Sequence, residues 1–328
     1  GPRAFDSIGG EVVATTAFVI KRYLDEEYRG MYLDLSLGRN EAEKNNILLS
    51  QDKTIQYYRS IGEFRRIPCS PVAYWVTDVA IECFSKGQSF SDVSLPKQGL
   101  STCNNDLFLR YWHEVSYDRI GFGCNSRGAA AATEKKWFPY NKGGSFRKWY
   151  GNNDYLVNWE LDGKDIHEYS DLPLDYNGAP VRGKDYYFLE GMTWSSLAGD
   201  FSGRYSPAGF AFDAKGPLLL ATDESISIQT LMGCLNSKAA MVFLKILAPT
   251  LDFNQGPIGR MPLPLDVPYV DDCVTNLIEI SKLDWDLSEM SWDFKRTPLL
   301  CVSGTKGLVS SGLEHASDRE AKLVAQYS

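Results

Sequence analysis

The alternation of apolar and polar positions divides the chain into strand-like and helix-like stretches. Glu11 to Ile20 is rich in β-branched residues, and Met31 to Leu35 is a second short run. Together they predict a hairpin, which needs a further sheet to lie against. Asn40 to Ser60 follows at helical spacing, with Ile47, Leu48, Ile55 and Tyr58 on its apolar face. Pro68 and Pro71 mark a boundary, and behind them Val72, Trp75, Val76, Val79, Ala80 and Phe84 predict a second helix. A short helix is expected over Asn105 to Val115. From about Lys135 to Asp213 helical periodicity fades, and dense aromatics, Gly and Asn predict short strands with tight turns. Ser225 to Leu247 reads as helix, broken in two near Gly233 to Lys238. Ile258 to Pro264 reads as an extended, Pro-limited edge. Beyond Pro268 runs an acidic helical stretch carrying Asp271, Asp272, Glu279, Asp284, Asp286, Glu289 and Asp293. A Gly/Ser-rich tail from Ser303 ends in a helical pattern over Leu313 to Ala325.

This order predicts a mixed α/β (α+β) chain. Its parts are a strand-bearing segment at 1–37, a helical connector at 38–90, a β-rich domain of recognition type at 91–265, and a helical spacer and tail at 266–328.

Apolar residues make up 44% and charged residues 23% of the 328 positions, which excludes disordered and fibrous classes. A net charge of -8 excludes a uniformly basic nucleic-acid protein, so any polyanion site must be a local patch. No apolar run approaches the ~18 residues of a membrane span, and no membrane partner is expected. The seven cysteines are odd in number and never in C-x-x-C spacing. Neither a disulfide framework nor a zinc site is expected, and a reducing cytoplasm fits best. The start at Gly1-Pro2, running straight into a strand pattern, gives the expectation of a piece of something longer.

Enzyme signatures are missing. Gly121-Phe122-Gly123 is followed by Ser126 where G-x-G-x-x-G needs Gly, and there is no phosphate loop, H-E-x-x-H or G-x-S-x-G. The histidines His113, His167 and His315 are isolated, and Glu320-Ala321-Lys322 reads as a solvated face. No catalytic, metal or cofactor site is expected in this chain.

One segment departs from the acidic background. Lys135 to Asn153 carries five cations, Lys135, Lys136, Lys142, Arg147 and Lys148, with no acidic residue. Interleaved are Trp137, Phe138, Tyr140, Phe146, Trp149 and Tyr150. Cations suit phosphate, flat rings suit unpaired bases, and Asn141, Asn152 and Asn153 suit base edges. A hairpin with its aromatics in the core and its lysines outside fits the same spacing, and an aromatic sugar platform is a third option. A second cluster runs from Glu190 through Thr193 and Ser195 to Arg204-Tyr205; it reads as a phosphate or base contact, or as a core strand with a capped turn.

Longer stretches carry a resemblance. Gly9 to Val13, Thr15 to Val19, Ile67-Pro68, Tyr74-Trp75-Val76, Gly99 to Thr102, Lys136 to Gly144, Phe146 to Asn153, Glu190 to Ser195, Phe201 to Tyr205, Gly209 to Asp213 and Pro249 to Phe253 resemble the PglX-type adenine-specific DNA methyltransferases of BREX phage defence. The resemblance reaches to about Phe294. It implies methyl transfer from S-adenosylmethionine to the exocyclic amine of a flipped adenine. The family's Asn-Pro-Pro-Tyr motif is absent, since the sequence has no Pro-Pro pair, and its cofactor loop is missing as well. The implied assignment is therefore the closing strands of a Rossmann-like catalytic domain, followed by the target-recognition domain. S-adenosylmethionine is expected for the full-length enzyme and not for this chain.

By that resemblance the basic-aromatic run lines a cleft for duplex DNA. Lys135, Lys136, Lys142, Arg147 and Lys148 become phosphate contacts, beside the rings of Trp137, Tyr140, Trp149 and Tyr150. Asn141, Asn152, Asn153, Thr193, Ser195 and Arg204 become base or backbone contacts. The alternative is a protein-interaction module that docks other defence components, or a phage inhibitor, with the acidic stretch as one docking face.

Overall fold

The computed structural model describes residues 4–5, 15–22, 25, 27–50, 52–250, 252–263 and 270–297. It divides into two units, Gly1–Gly87 and Gln88–Ser328. Helices and sheets are interspersed in both, as the mixed α/β reading expects.

In the first unit β1 (Arg29–Leu33) pairs antiparallel with a strand lying beyond α1 (Glu41–Leu49), namely β2 (Gln56–Ser60). This departs from the expected hairpin and from the long helix. Thr15 to Ile20 carries no regular structure, and Glu11 to Ala14 lies outside the described residues. The helix over Asn40 to Ser60 is only partly realised. Asn40 caps α1 by accepting the Glu43 amide at 2.8 Å, but Asp52 accepts the Thr54 amide at 2.8 Å and starts a separate tight turn. The aromatic-rich Gln56-Tyr57-Tyr58-Arg59-Ser60 then suits a pleated surface better than a helix. Ser60 and Glu63 form a capping box for α2 (Ile61–Arg65). The helix predicted from Val72 begins later, as α3 (Asp78–Lys86). Thr77 caps it by accepting the Ala80 amide, while Cys69 and Ser70, between the two prolines, take left-handed φ values of 65° and 48°.

The second unit runs β3 (Gln88–Ser89), α4 (Phe90–Val93), β4 (Ser94–Lys97), α5 (Asn105–Phe108), β5 (Leu109–Tyr111), α6 (Arg127–Ala132), β6 (Trp137–Asn141), β7 (Tyr155–Asn158), α7 (Lys164–Tyr169), β8 (Gly191–Trp194), β9 (Gly203–Ser206), β10 (Ala211–Phe212) and β11 (Leu218–Ala221). It continues through α8 (Ile228–Asn236), α9 (Lys238–Leu247), α10 (Gln255–Gly259), β12 (Pro262–Leu263) and α11 (Val270–Asp286). Two four-stranded sheets dominate, ordered β10-β6-β7-β5 and β4-β11-β8-β9. The second is antiparallel throughout, whereas β10 joins the first by a parallel pairing with β6.

Strand β11 shows how the sheets are layered. Leu219 enters a core with Met192, Trp194, Leu231, Leu235 and Leu244, beneath α8 and α9. Its neighbours Leu218 and Leu220 face the opposite way, into a core with Phe138, Tyr140, Val157 and Phe212. A period of two along a strand buried on both faces thus supplies two cores at once.

The helical expectations after Ser225 hold in outline. Ser227 caps α8 and Ser237 caps α9, and the chain bends by 76° between them. Among the described residues no single helix is long and apolar enough to cross a membrane. Helix α11 covers the acidic stretch as far as Asp286, whereas Glu289 and Asp293 lie beyond its end. Two expectations fail locally. Asn105 to Val115 leaves the helix after Phe108, because Leu109 to Tyr111 pairs with β7 as β5. Ile258-Gly259 ends α10, and only Pro262–Leu263 forms an edge strand, beside β3. The helical pattern over Leu313 to Ala325 lies outside the described residues.

Candidate nucleic-acid interface

The basic-aromatic run forms β6 and the loop leading to β7, and alternation sorts its side chains. Phe138 and Tyr140 fill the core between the sheets, while Trp137 turns to Ile120 and Leu156. The Arg110 guanidinium lies 5.3 Å from the centre of the Trp137 ring. The rings of Trp137, Tyr140, Trp149 and Tyr150 are all buried. They are not presented to a ligand in this arrangement.

The cations separate in the same way. Lys135 donates to the carbonyl of Asp118. Lys136 reaches Glu160 at 3.6 Å and Asp165 at 3.4 Å. Arg147 pairs with Asp284 on α11, lies 5.1 Å from the centre of the Trp285 ring and donates through Nε to the Tyr150 carbonyl at 2.8 Å. Lys148 donates to the Asn236 carbonyl at 2.7 Å, closing the C-terminal end of α8, and burial lowers its pKa. A positive run in an acidic chain here finds acidic or carbonyl partners for each of its five cations within the unit.

The residues that do converge surround Gly143-Gly144. Asp213, which the sequence reading missed, is the centre of this cluster. Its Oδ2 accepts from Tyr140 Oη at 2.9 Å and from Lys142 Nζ at 2.5 Å, and its Oδ1 accepts the Lys215 amide at 2.7 Å. Burial first, then the Asp213 charge, raises the Tyr140 phenol well above its ordinary pKa. Asn141 Nδ2 donates to Ser206 Oγ at 2.7 Å. Ser195 Oγ donates to the Gly144 carbonyl at 2.8 Å, Thr193 Oγ1 to the Gly216 carbonyl at 3.4 Å, and Asn152 Nδ2 to the Ser145 carbonyl at 2.8 Å. Gly143 and Gly144 have φ of 101° and 128°, and a Cβ on Gly144 would stand 2.8 Å from Asn152 Nδ2. The strand-to-strand loop is therefore braced from three sides. The only sequence hint of Asp213 is that it closes the Gly209 to Asp213 stretch.

A second buried group gathers behind β9. Arg204 is 1% exposed, and neither its Nε nor its Nη1 has a hydrogen-bond partner. Burial, with Arg147 nearby, lowers its pKa to about 10, and Asp154 opposes the shift. Asp154 Oδ1 and Asn153 Nδ2 are likewise buried and unpartnered. Arg204 and Asn153 sit inside the unit, where sequence reasoning placed them against DNA.

The acidic stretch is also engaged within the unit. Asp271 accepts from Ser227 and Thr230, each at 2.6 Å, and Asp286 and Asp293 receive Lys282. Among the described residues no group of three or more His, Cys, Asp or Glu is placed to hold a metal ion. The first unit's described strands form an antiparallel pair, and the loop from β1 to the Asn40 cap of α1 carries a single glycine, Gly38, on which a Cβ would stand 2.6 Å from Lys44. No step through that cofactor is assigned to these residues.

Comparison with known proteins places the resemblance on firm ground. The chain is 38% identical over 314 residues to the adenine-specific methyltransferase PglX of Lacticaseibacillus casei (strain Zhang), covering 92% of this chain and 25% of that protein. It is 37% identical over 306 residues to the adenine-specific methyltransferase BrxX of Escherichia coli O9:H4 (strain HS), covering 92% of this chain and 24% of that protein. The chain thus spans about a quarter of the length of the curated relatives it matches. No family model matches the sequence.

Proposed function

We propose that this chain is the DNA target-recognition portion of a site-specific adenine-N6 methyltransferase of a BREX-type phage-defence system. It binds duplex DNA and presents a flipped adenine to a catalytic domain outside this chain. S-adenosylmethionine serves that domain as methyl donor, in the cytoplasm, and other defence components are its protein partners. The observation that carries this reading is similarity over nine-tenths of the chain to two adenine-specific methyltransferases, in a sequence without an Asn-Pro-Pro-Tyr motif. The unit built on the two sheets supplies the physical complement. Its strands form a buried scaffold, and its loops, braced around Asp213 and Gly144, are left to carry recognition.

Binding to a mixed-sequence 30-base-pair duplex, followed by fluorescence anisotropy at 50 and 200 mM salt, tests the reading. The expected result is an affinity whose logarithm falls linearly with the logarithm of salt concentration. No binding at 50 mM salt would contradict it.

A further inference from the structure

Phe146 is the exception in the basic-aromatic run: its five companion rings are buried within the unit, whereas Phe146 is 61% exposed. A single exposed apolar side chain is ordinary on a protein surface. What distinguishes Phe146 is the bracing around it. The preceding carbonyls, of Gly144 and Ser145, are held by Ser195 and Asn152. The flanking cations are both anchored, Lys142 on Asp213 and Arg147 on Asp284 and Trp285. The ring therefore projects from a fixed point. Leu197 stands two residues beyond Ser195 as Phe146 stands two beyond Gly144, and it is 69% exposed. One hydrogen bond thus ties together two loops that each offer an apolar side chain to solvent.

Resting on the DNA-recognition reading, we infer that Phe146, supported by Leu197, is an apolar wedge that stacks against unstacked bases of the bound duplex. A flat ring with two side-chain torsions on a braced backbone loses little freedom on stacking, and apolar wedges between base steps are a recognised way of opening a duplex. Lys142 and Lys215 stand at the foot of the two loops, each in a lysine–carboxylate pair with Asp213 and Asp252, where strand phosphates flanking an opened step would pass.

The test uses the full chain and the mixed-sequence 30-base-pair duplex at 50 and 200 mM salt. Phe146→Ala is expected to weaken binding about tenfold or more, with the slope of affinity against salt unchanged. Phe146→Trp is expected to restore the affinity, and Leu197→Ala to weaken it less. The urea midpoints of all variants should match the parent, since both side chains lie outside the cores. Equal affinity of Phe146→Ala and the parent would overturn the wedge and leave the DNA reading standing. Absence of binding by the parent chain would remove both.

Discussion

Arg147 lays its guanidinium 5.1 Å from the centre of the Trp285 ring and pairs with the neighbouring Asp284, so a cation from the basic run is bound to the acidic helix. The two segments of opposite charge that stand out in the sequence are partners of each other. Arg147→Ala should lower stability by about 1–2 kcal/mol, read as a lower urea midpoint. Asp284→Asn should cost less, and the double variant should fall short of the sum. Additive losses would show that the pair does not interact.

The Tyr140–Asp213 contact sets a pH dependence. An unfolded tyrosine titrates near 10, whereas burial and Asp213 raise the folded phenol well above that value. Its contribution is therefore complete below pH 10 and is lost as pH rises from there through the folded value. Tyr140→Phe should cost about 1–3 kcal/mol at neutral pH, because a buried acceptor loses a donor. From about pH 10 upward the parent's urea midpoint should fall towards that of the variant. A constant gap across this range would refute the assignment.

Arg204 offers the opposite case. With Nε and Nη1 buried and unpartnered, its guanidinium burdens the fold more than it supports it. Arg204→Met, which keeps most of the length of the side chain, should leave thermal stability unchanged or raise it. Arg204→Ala, which leaves a cavity, should lower it by about 2–5 kcal/mol. A marked loss in Arg204→Met would mean that the guanidinium has a partner on which folding depends.

Gly144→Ala combines a positive φ with a Cβ that meets Asn152 Nδ2 at 2.8 Å. It should distort the braced loop, costing about 1–3 kcal/mol and weakening duplex binding more than stability alone explains. Asn152→Gly keeps the backbone free to adopt φ 59° and should be milder on both counts. The two variants measured side by side by anisotropy and urea titration check the order.

Much of the architecture was legible because it rests on local chemistry. Asn236-Ser237-Lys238 marks the split of α8 from α9, and acidic α11 follows from its own spacing. Two of the failures share a cause. Gln56–Ser60 and Leu109–Tyr111 become strands only because β1 and β7 lie ready to pair with them, and pairing between segments far apart in sequence leaves no trace in periodicity. The site suffered the same blindness. Charge and aromatic content pointed to the loop, but composition could not reveal that Lys136, Lys142 and Arg147 already meet Asp165, Asp213 and Asp284. Nor could it show that Phe146, rather than Trp137, Tyr140, Trp149 or Tyr150, is the ring facing solvent.

If these residues choose the DNA site while the chemistry resides elsewhere, exchanging them must change the site that is methylated. The direct measurement replaces the matched quarter of the Escherichia coli BrxX relative with this chain and maps N6-methyladenine across a host genome by single-molecule sequencing. Methylation is expected at a new sequence, and is expected to be lost again in Gly144→Ala. Methylation that stays at the relative's own site would contradict it.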